Sequence, residues 1–200
     1  MQRESETNRL EAFSDGVMAV VITIMAFNVK SPAGATLTDL HRVAPELLVY
    51  VLSFAMIGIY WNNHHHLLRA TERLDGAVMW ANLHLLFWLS LMPLVTAWIG
   101  RYPVHALPAA CYGVVGLGCA IAYWVLVRRI ISANGENSVV ARAIGKDFKG
   151  NISLVCYLVG TGIAFVAPLA SYGIYASVAV MWFVPDRRLA PSPEAEPGAG

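Results

Sequence analysis

The longest uncharged stretch of this chain covers residues 152–184, and it constrains the fold more than any other feature. It holds 33 residues without Asp, Glu, Lys or Arg. One helix of that length would be about 50 Å long, against a bilayer hydrocarbon core of about 30 Å. Pro168 lies near the middle, where proline ends or kinks a helix. We therefore predict two short membrane helices, at about 152–166 and 168–184, with one kinked helix as the alternative.

Four further apolar runs precede this stretch. They cover residues 13–29, about 46–61, about 77–99 and about 106–127. Only 14% of the residues are charged, whereas soluble domains carry about 25%. The chain is therefore predicted to be an all-α integral membrane protein with six transmembrane helices between residues 13 and 184. Three polar segments accompany them: a cytoplasmic N-terminus at 1–12, a basic cytoplasmic linker at 129–150 and a disordered tail at 185–200.

The basic residues give the orientation of these helices. With six spans, the N-terminus, the second and fourth loops and the C-terminus lie on one side. That side holds eleven basic residues: Arg3, Arg9, Arg69, Arg73, Arg128, Arg129, Arg142, Lys146, Lys149, Arg187 and Arg188. The other side holds three, Lys30, Arg42 and Arg101. Because cytoplasmic loops are enriched in Lys and Arg, we predict a multi-pass protein of the cell membrane with both termini cytoplasmic.

Composition and motifs argue against several classes of function. We expect no nucleic-acid partner, because the net charge is only +1 and the sequence has no basic cluster. The sequence has no nucleophile elbow, paired-carboxylate site or phosphate loop, so we expect neither an enzyme nor a cofactor. Three cysteines, Cys111, Cys119 and Cys156, all fall within apolar runs. We interpret them as small buried side chains.

The first apolar run carries two chemically different sides. It begins R-L-E-A-F-S-D at residues 9–15 and so places Asp15 one turn into a membrane helix. At 100° per residue, with Val20 at zero, Asp15 lies at about −140°. Gly16, Thr23, Ile24 and Phe27 lie within about 60° of Val20 and form an apolar stripe with it. A carboxylate at this depth is costly unless it is paired, so Asp15 needs a partner inside the protein.

Possible partners lie on the next two helices. The second helix ends W-N-N-H-H-H at residues 61–66, and the third contains Asn82 and His84. All of these are near the predicted cytoplasmic end, from which Asp15 also enters the membrane. We hypothesise a hydrogen-bonded lock. It joins Arg9, Ser14 and Asp15 to some of Trp61, His64, Asn82 and His84.

These motifs resemble those of a known family. The R-x-x-x-F-S-D start, from Arg9 through Phe13 to Asp15, is similar to the signature of the endolysosomal potassium channels called transmembrane protein 175, in their prokaryotic single-repeat form. The W-x-x-H-H pattern that begins at Trp61 is similar to the second helix of that family. The third helix of that family resembles residues 82–93, N-L-H-L-L-F-W-L-S-L-M-P. The resemblance covers roughly residues 9–98.

The resemblance implies a homotetramer of six-helix subunits in the lipid bilayer, conducting potassium ions or cations with weak selectivity. The first helices of that family line a central pore, and a ring of bulky apolar side chains replaces a carbonyl filter. Here the implied pore-lining residues are Val20, Thr23, Ile24 and Phe27. Family members often have Leu or Ile at the position of Val20, which implies a wider ring or a ring at Ile24. The implied structural network is Arg9, Phe13, Ser14, Asp15, Trp61, His64 and Asn82.

Other interpretations remain open. The apolar stripe is also typical of a helix-packing face. An intramembrane acid beside histidines is typical of a proton-coupled secondary transporter using Asp15. A metal site at His64, His65 and His66 is disfavoured, because successive helical residues point about 100° apart. Haem binding is disfavoured as well, because the sequence has no haem-attachment motif. The filter-like Y-G-V-V-G at 112–116 lies within a continuous apolar run, where its glycines permit close helix packing.

Overall fold

The structure is a computed structural model and describes residues 2–145 and 147–183. These residues form eight α-helices. In chain order they are α1 (Gln2–Asn28), α2 (Leu37–Arg69), α3 (Gly76–Ser90), α4 (Met92–Arg101), α5 (Ala106–Asn134), α6 (Val139–Ile144), α7 (Phe148–Ile163) and α8 (Pro168–Phe183). The predicted disordered tail at 185–200 lies outside the described residues, as do Lys146 and Val184.

The all-helical membrane architecture is confirmed. Four stretches are long and apolar enough to cross a membrane, namely Glu6–Asn28, Leu37–Arg69, Gly76–Arg101 and Ala106–Asn134. The helix α8 is apolar but shorter. Both α7 and α8 have 16 residues, which corresponds to about 24 Å of helix against a core of about 30 Å. Both are therefore shorter than a perpendicular crossing requires, and six crossings stay a prediction.

The second helix begins well before the apolar run that predicted it. Its N-cap is Thr36, whose hydroxyl accepts a hydrogen bond from the backbone N–H of Asp39. The Asp39 carboxylate accepts one in return from the Thr36 backbone N–H. This capping box satisfies donors that a helix start leaves exposed. The helix therefore begins at Leu37 rather than near residue 46, and Pro45 lies within it.

The third predicted helix is divided in two. Leu91 separates α3 from α4, and Pro93 lies in the first turn of α4. Proline has no backbone N–H and cannot donate to the carbonyl four residues earlier, so the regular hydrogen bonding is interrupted. Leu91 nevertheless keeps a right-handed helical conformation. The two helices thus form one membrane-length stretch with a break near its middle.

Three helices share the predicted linker at 129–150. Helix α5 continues to Asn134, α6 lies within the linker, and α7 begins at Phe148. The side-chain oxygen Oδ1 of Asn134 accepts hydrogen bonds from the backbone N–H groups of Glu72 and Arg73, at 3.0 and 2.7 Å. Its amide donates back to the Arg73 carbonyl. This side chain therefore ties the end of α5 to the connection between α2 and α3.

The long uncharged stretch forms two helices, as predicted. Helix α7 ends at Ile163 and α8 begins at Pro168. Proline suits the first position of a helix, where its missing N–H would have no intrahelical partner. The two helices pack against each other, and α7 also packs against α5.

Tyrosines and glycines build the centre of the bundle. Tyr112, Tyr157 and Tyr175 are buried, and the ring of Tyr175 lies 5.6 Å from that of Tyr112 and 5.8 Å from that of Tyr157. A Cβ atom at Gly116 would lie 2.6 Å from the Tyr157 ring. A Cβ atom at Gly118 would collide with the indole of Trp88. The glycines of α5 therefore let neighbouring rings approach the backbone, as the sequence predicted.

We predict that Gly118→Ala lowers stability by about 1–3 kcal/mol, because the added methyl group overpacks the contact between α3 and α5. Gly173→Ala is the matched control, since a Cβ atom there meets nothing within 4 Å. Thermal unfolding of the detergent-solubilised protein measures both. Equal midpoints for the two variants would contradict the assigned contact.

Candidate functional site

Helix α1 presents one face to the subunit and leaves the other without a partner in it. Ser14, Met18, Val21 and Met25 are buried against α2, α3 and α4. On the wheel that places Val20 at zero, these residues lie between about +100° and +160°. The predicted apolar stripe lies on the opposite side of the helix. Packing within one subunit therefore sets the rotation of α1 about its axis.

The predicted pore-lining residues are all exposed. Val20 is 55% exposed and its chain neighbour Val21 only 3%. Phe27 is 89% exposed, and Thr23 and Ile24 are exposed as well. The Thr23 hydroxyl donates to the Val20 carbonyl at 2.8 Å. Its oxygen lone pairs remain available to an ion or to water on the exposed side.

An open apolar groove of about 510 Å³ runs along this face. Helix α1 supplies most of its lining, including Phe13, Gly16 and Val20. Ser90 and Pro93, at the break between α3 and α4, complete it. The groove and the stripe together form a continuous apolar surface on the outside of the subunit.

A buried hydrogen-bond chain holds the opposite face. The Asn82 amide donates to the Ser14 hydroxyl at 2.9 Å, and Ser14 donates to the Leu10 carbonyl at 2.8 Å. The Asn82 carbonyl oxygen pairs with Nε2 of His64 at 2.7 Å. All three side chains of Ser14, His64 and Asn82 are fully buried. One side chain of α3 thereby links α1 to α2.

A second polar contact lies beside this chain and was missed by sequence reasoning. Nδ1 of His65 lies 2.5 Å from a carboxylate oxygen of Glu11, with both side chains mostly buried. Glu11 lies at about 180° on the same wheel, even further from the stripe than Asp15. An acid in an apolar helix needs a partner, and this holds for Glu11 as it does for Asp15. Applied to Glu11, this requirement would have indicated this contact.

Asp15, Trp61 and Arg9 do not join the predicted lock. Asp15 makes no hydrogen bond with the described residues, and its Oδ1 is buried without a partner among them. Successive helical residues point about 100° apart, so the Ser14 contact turns Asp15 away from Asn82. Trp61 is 44% exposed and stacks on His65 at 5.9 Å. Arg9 is exposed.

Phe13 and His84 also lie outside the buried network. Phe13 is exposed on the groove side of α1. His84 is exposed, and its Nε2 accepts a hydrogen bond from the indole N–H of Trp88, one turn along the same helix. The polar network in the structure is therefore smaller than the predicted one.

The other end of α1 is held by weaker contacts. The Thr96 hydroxyl of α4 lies 3.8 Å from the Met25 sulfur and donates to the Ser53 hydroxyl at 2.8 Å. The backbone N–H of Lys30 donates to the Glu46 carboxylate at 3.4 Å. Since thioether sulfur is a weak acceptor, α1 is fixed more firmly near Ser14 than near Met25.

The described part of the chain holds no group of three His, Cys, Asp or Glu side chains that could bind a metal ion. His64 is buried against Asn82, His65 faces Glu11, and His66 is exposed. The three histidines thus point in different directions, as their consecutive positions on a helix require.

Comparison with known proteins identifies relatives of this arrangement. Residues 9–93 match the family described as Endosomal/lysosomal potassium channel TMEM175. A potassium channel of Chryseobacterium sp. (strain P1-3) is 47% identical over 181 residues, which cover 90% of this chain and 94% of that protein. A potassium channel of Chamaesiphon minutus (strain ATCC 27169 / PCC 6605) is 30% identical over 192 residues, covering 88% and 93% of the two chains.

A solved structure has the same fold. It is the crystal structure of a lysosomal potassium-selective channel TMEM175 homologue from Chamaesiphon minutus. The two structures superpose with a TM-score of 0.81 at 28% sequence identity, covering 91% of this chain and 98% of that one. The likeness therefore extends over nearly the whole bundle, beyond the first three helices whose motifs suggested it.

We predict that Asn82→Leu lowers stability by about 1–3 kcal/mol, because it removes two hydrogen bonds and leaves buried polar atoms of Ser14 and His64 unpaired. Asn62→Leu, at an exposed position of α2, is the control and should change stability little. Thermal unfolding in detergent distinguishes them. If the Asn82 variant were as stable as wild type, Asn82 would not link α1 to α2.

Proposed function

The chain belongs to the TMEM175 family, and on that premise we propose that it is a potassium channel subunit whose α1 helices line the pore. The observation that carries this proposal is the exposed apolar stripe of α1, which lies opposite a buried polar anchor. A stripe of this kind has no partner within the described subunit. A second copy of the same helix would cover it.

We infer a homotetramer with these helices around a shared axis. The groove beside α1 supports this arrangement, because an apolar surface of this size calls for a partner or lipid. In a closed ring every copy uses the same two surfaces, one patch meeting a different patch of the next subunit. The stripe of one subunit would then face the stripes of the others, while the groove receives the neighbouring helix.

The narrowest part of the pore is proposed to be a ring of Val20 or Ile24 side chains. Both are exposed on the stripe and one helical turn apart. An apolar ring can close a pore by excluding water. Thr23, between them in the chain, contributes hydroxyl oxygens that can replace part of an ion's hydration shell. Phe27 lies one turn further along the same stripe.

Opening requires α1 to rotate or splay, since the ring side chains cannot otherwise leave the axis. The buried face of α1 contains Met18 and Met25, whose flexible side chains repack more readily than branched ones. The anchor at Ser14 and Glu11 lies towards one end of the helix. A hinge-like motion would therefore move the Phe27 end further than the Ser14 end.

The placement in the membrane follows from the same elements. The chain is a multi-pass membrane protein, and we propose six crossings at residues 13–184 in the cell membrane. The eleven-to-three distribution of basic residues supports cytoplasmic termini and a cytoplasmic linker at 129–150. On this orientation the polar anchor of α1 lies near the cytoplasmic side.

We predict that Val20→Ala changes the unitary conductance or the potassium-over-sodium selectivity, because a shorter side chain widens the proposed ring. Val21→Ala is a close control, since it makes the same substitution one residue away on the buried face. Bi-ionic reversal potentials and single-channel currents in planar bilayers measure both variants, with Ile24→Ala as a second ring variant. Unchanged permeation in both Val20→Ala and Ile24→Ala would rule out the assigned ring.

A proton-coupled transporter is the second candidate. It is favoured by two buried polar atoms, Oδ1 of Asp15 and Nδ1 of His64, that have no hydrogen-bond partner among the described residues. Buried ionisable groups of this kind can relay protons through a membrane. In a proton-coupled transporter, potassium flux needs a carboxylate that gains and loses a proton. In a channel it does not.

We predict that Asp15→Asn leaves a passive potassium current in the absence of a proton gradient, since the proposed pore lies on another face of α1. Potassium flux into proteoliposomes at equal pH on both sides measures this. Asp75→Asn, which alters an N-cap outside the site, serves as the control. Loss of all flux in Asp15→Asn alone, with the protein still folded, would instead favour the transporter.

A further inference from the structure

A cavity on the far side of the subunit from the stripe carries features that the channel does not use. It lies where α2, α5, α7 and α8 meet, towards the end of the bundle at which α7 begins. It is partly open and has a volume of about 40 Å³, which is room for a few water-sized groups. The cavity does not share a lining residue with the groove beside α1.

Electron-rich rings form much of its wall. The rings of Tyr60, Tyr123 and Trp182 form a row of edge-to-face contacts. The centroid distance is 6.0 Å from Tyr60 to Tyr123 and 6.5 Å from Tyr123 to Trp182. Trp124 and Tyr157 complete the aromatic lining. Ring faces attract cations through their quadrupole. An aromatic wall of this kind therefore favours a positively charged guest over a neutral one of the same size.

The charged group in the lining is negative. Asp147, the N-cap of α7, has one carboxylate oxygen bonded to the backbone N–H of Gly150 at 3.0 Å. Its Oδ2 accepts no hydrogen bond from the described residues, nor does the Tyr60 hydroxyl pair with any of them. Two polar groups thus remain for a guest that donates hydrogen bonds.

Two cations already lie near the outside of this wall. The guanidinium of Arg128 lies 5.3 Å from the Trp124 ring, and the ammonium of Lys149 lies 5.8 Å from the Trp182 ring. Neither residue lines the cavity. Each of these two indoles thus already has a cation beside its ring, while the charge within the lining comes from Asp147.

From these contacts we propose that the cavity binds the ammonium group of a small primary amine. The carboxylate of Asp147 and the Tyr60 hydroxyl accept its N–H bonds, and the aromatic rings surround its charge. Apolar side chains of Met56 and Val178 in the lining contact a short alkyl portion. The small volume admits a primary ammonium head and excludes a tetraalkylammonium ion.

The test uses the full-length protein in detergent, labelled with 5-fluorotryptophan and followed by ¹⁹F NMR. The Trp182 resonance is assigned with Trp182→Phe. n-Butylammonium is titrated at constant potassium concentration and ionic strength, beside n-butanol as its neutral counterpart and tetraethylammonium as an oversized cation. We expect a saturable shift of Trp182 with n-butylammonium, at least about tenfold weaker binding of n-butanol, and no effect of tetraethylammonium.

Asp147→Asn is the decisive variant, because asparagine retains the helix cap and removes only the charge. It should weaken n-butylammonium binding about tenfold or more, with the other tryptophan resonances unchanged as evidence of folding. Asp75→Asn, another N-cap that does not line the cavity, should bind as wild type. The proposal would be overturned by equal binding of n-butanol and n-butylammonium, or by unchanged n-butylammonium binding in Asp147→Asn. Displacement of n-butylammonium by potassium alone would overturn it as well. None of these readouts depends on ion conduction.

Discussion

The buried hydrogen-bond chain through Asn82 determines which side of α1 faces its own subunit. Asn82 has to satisfy both ends of its amide in an apolar interior, and it does so with Ser14 on one side and His64 on the other. An unpaired amide there would cost about 1–3 kcal/mol, so rotations of α1 that break the chain are disfavoured. The apolar stripe points outwards as a consequence of this polar contact.

The same constraint explains how one helix can serve packing and permeation. Residues that contact the subunit lie opposite those proposed to face the ions, as the adjacent pair Val20 and Val21 illustrates. The remaining helices supply a rigid support. In that support, glycines of α5 admit the Tyr157 and Trp88 rings close to the backbone. A firmly held scaffold beside a methionine-lined helix face favours motion concentrated in α1.

Much of this could be predicted from the sequence, since periodicity and intramembrane charge leave few choices. The stripe on α1 and the break at Pro168 followed from helical geometry and proline chemistry. The start of α2 did not, because the capping box at Thr36 lies outside the apolar run. Depth in the membrane predicts the whole polar network, and of its members Ser14, Asn82 and His64 join it whereas Asp15 and Trp61 do not. Depth does not decide direction, and adjacent positions on a helix cannot share one partner.

The most direct test of the central claim is the accessibility of position 20 to water during conduction. In a background with Cys111, Cys119 and Cys156 replaced by alanine, Val20→Cys and Val21→Cys would be exposed to a charged, water-soluble methanethiosulfonate reagent while potassium current is recorded. The account predicts that current through Val20→Cys falls irreversibly, whereas Val21→Cys is unaffected. Modification of Val21→Cys with no effect on Val20→Cys would contradict it, because the stripe would then face lipid or a packed interface.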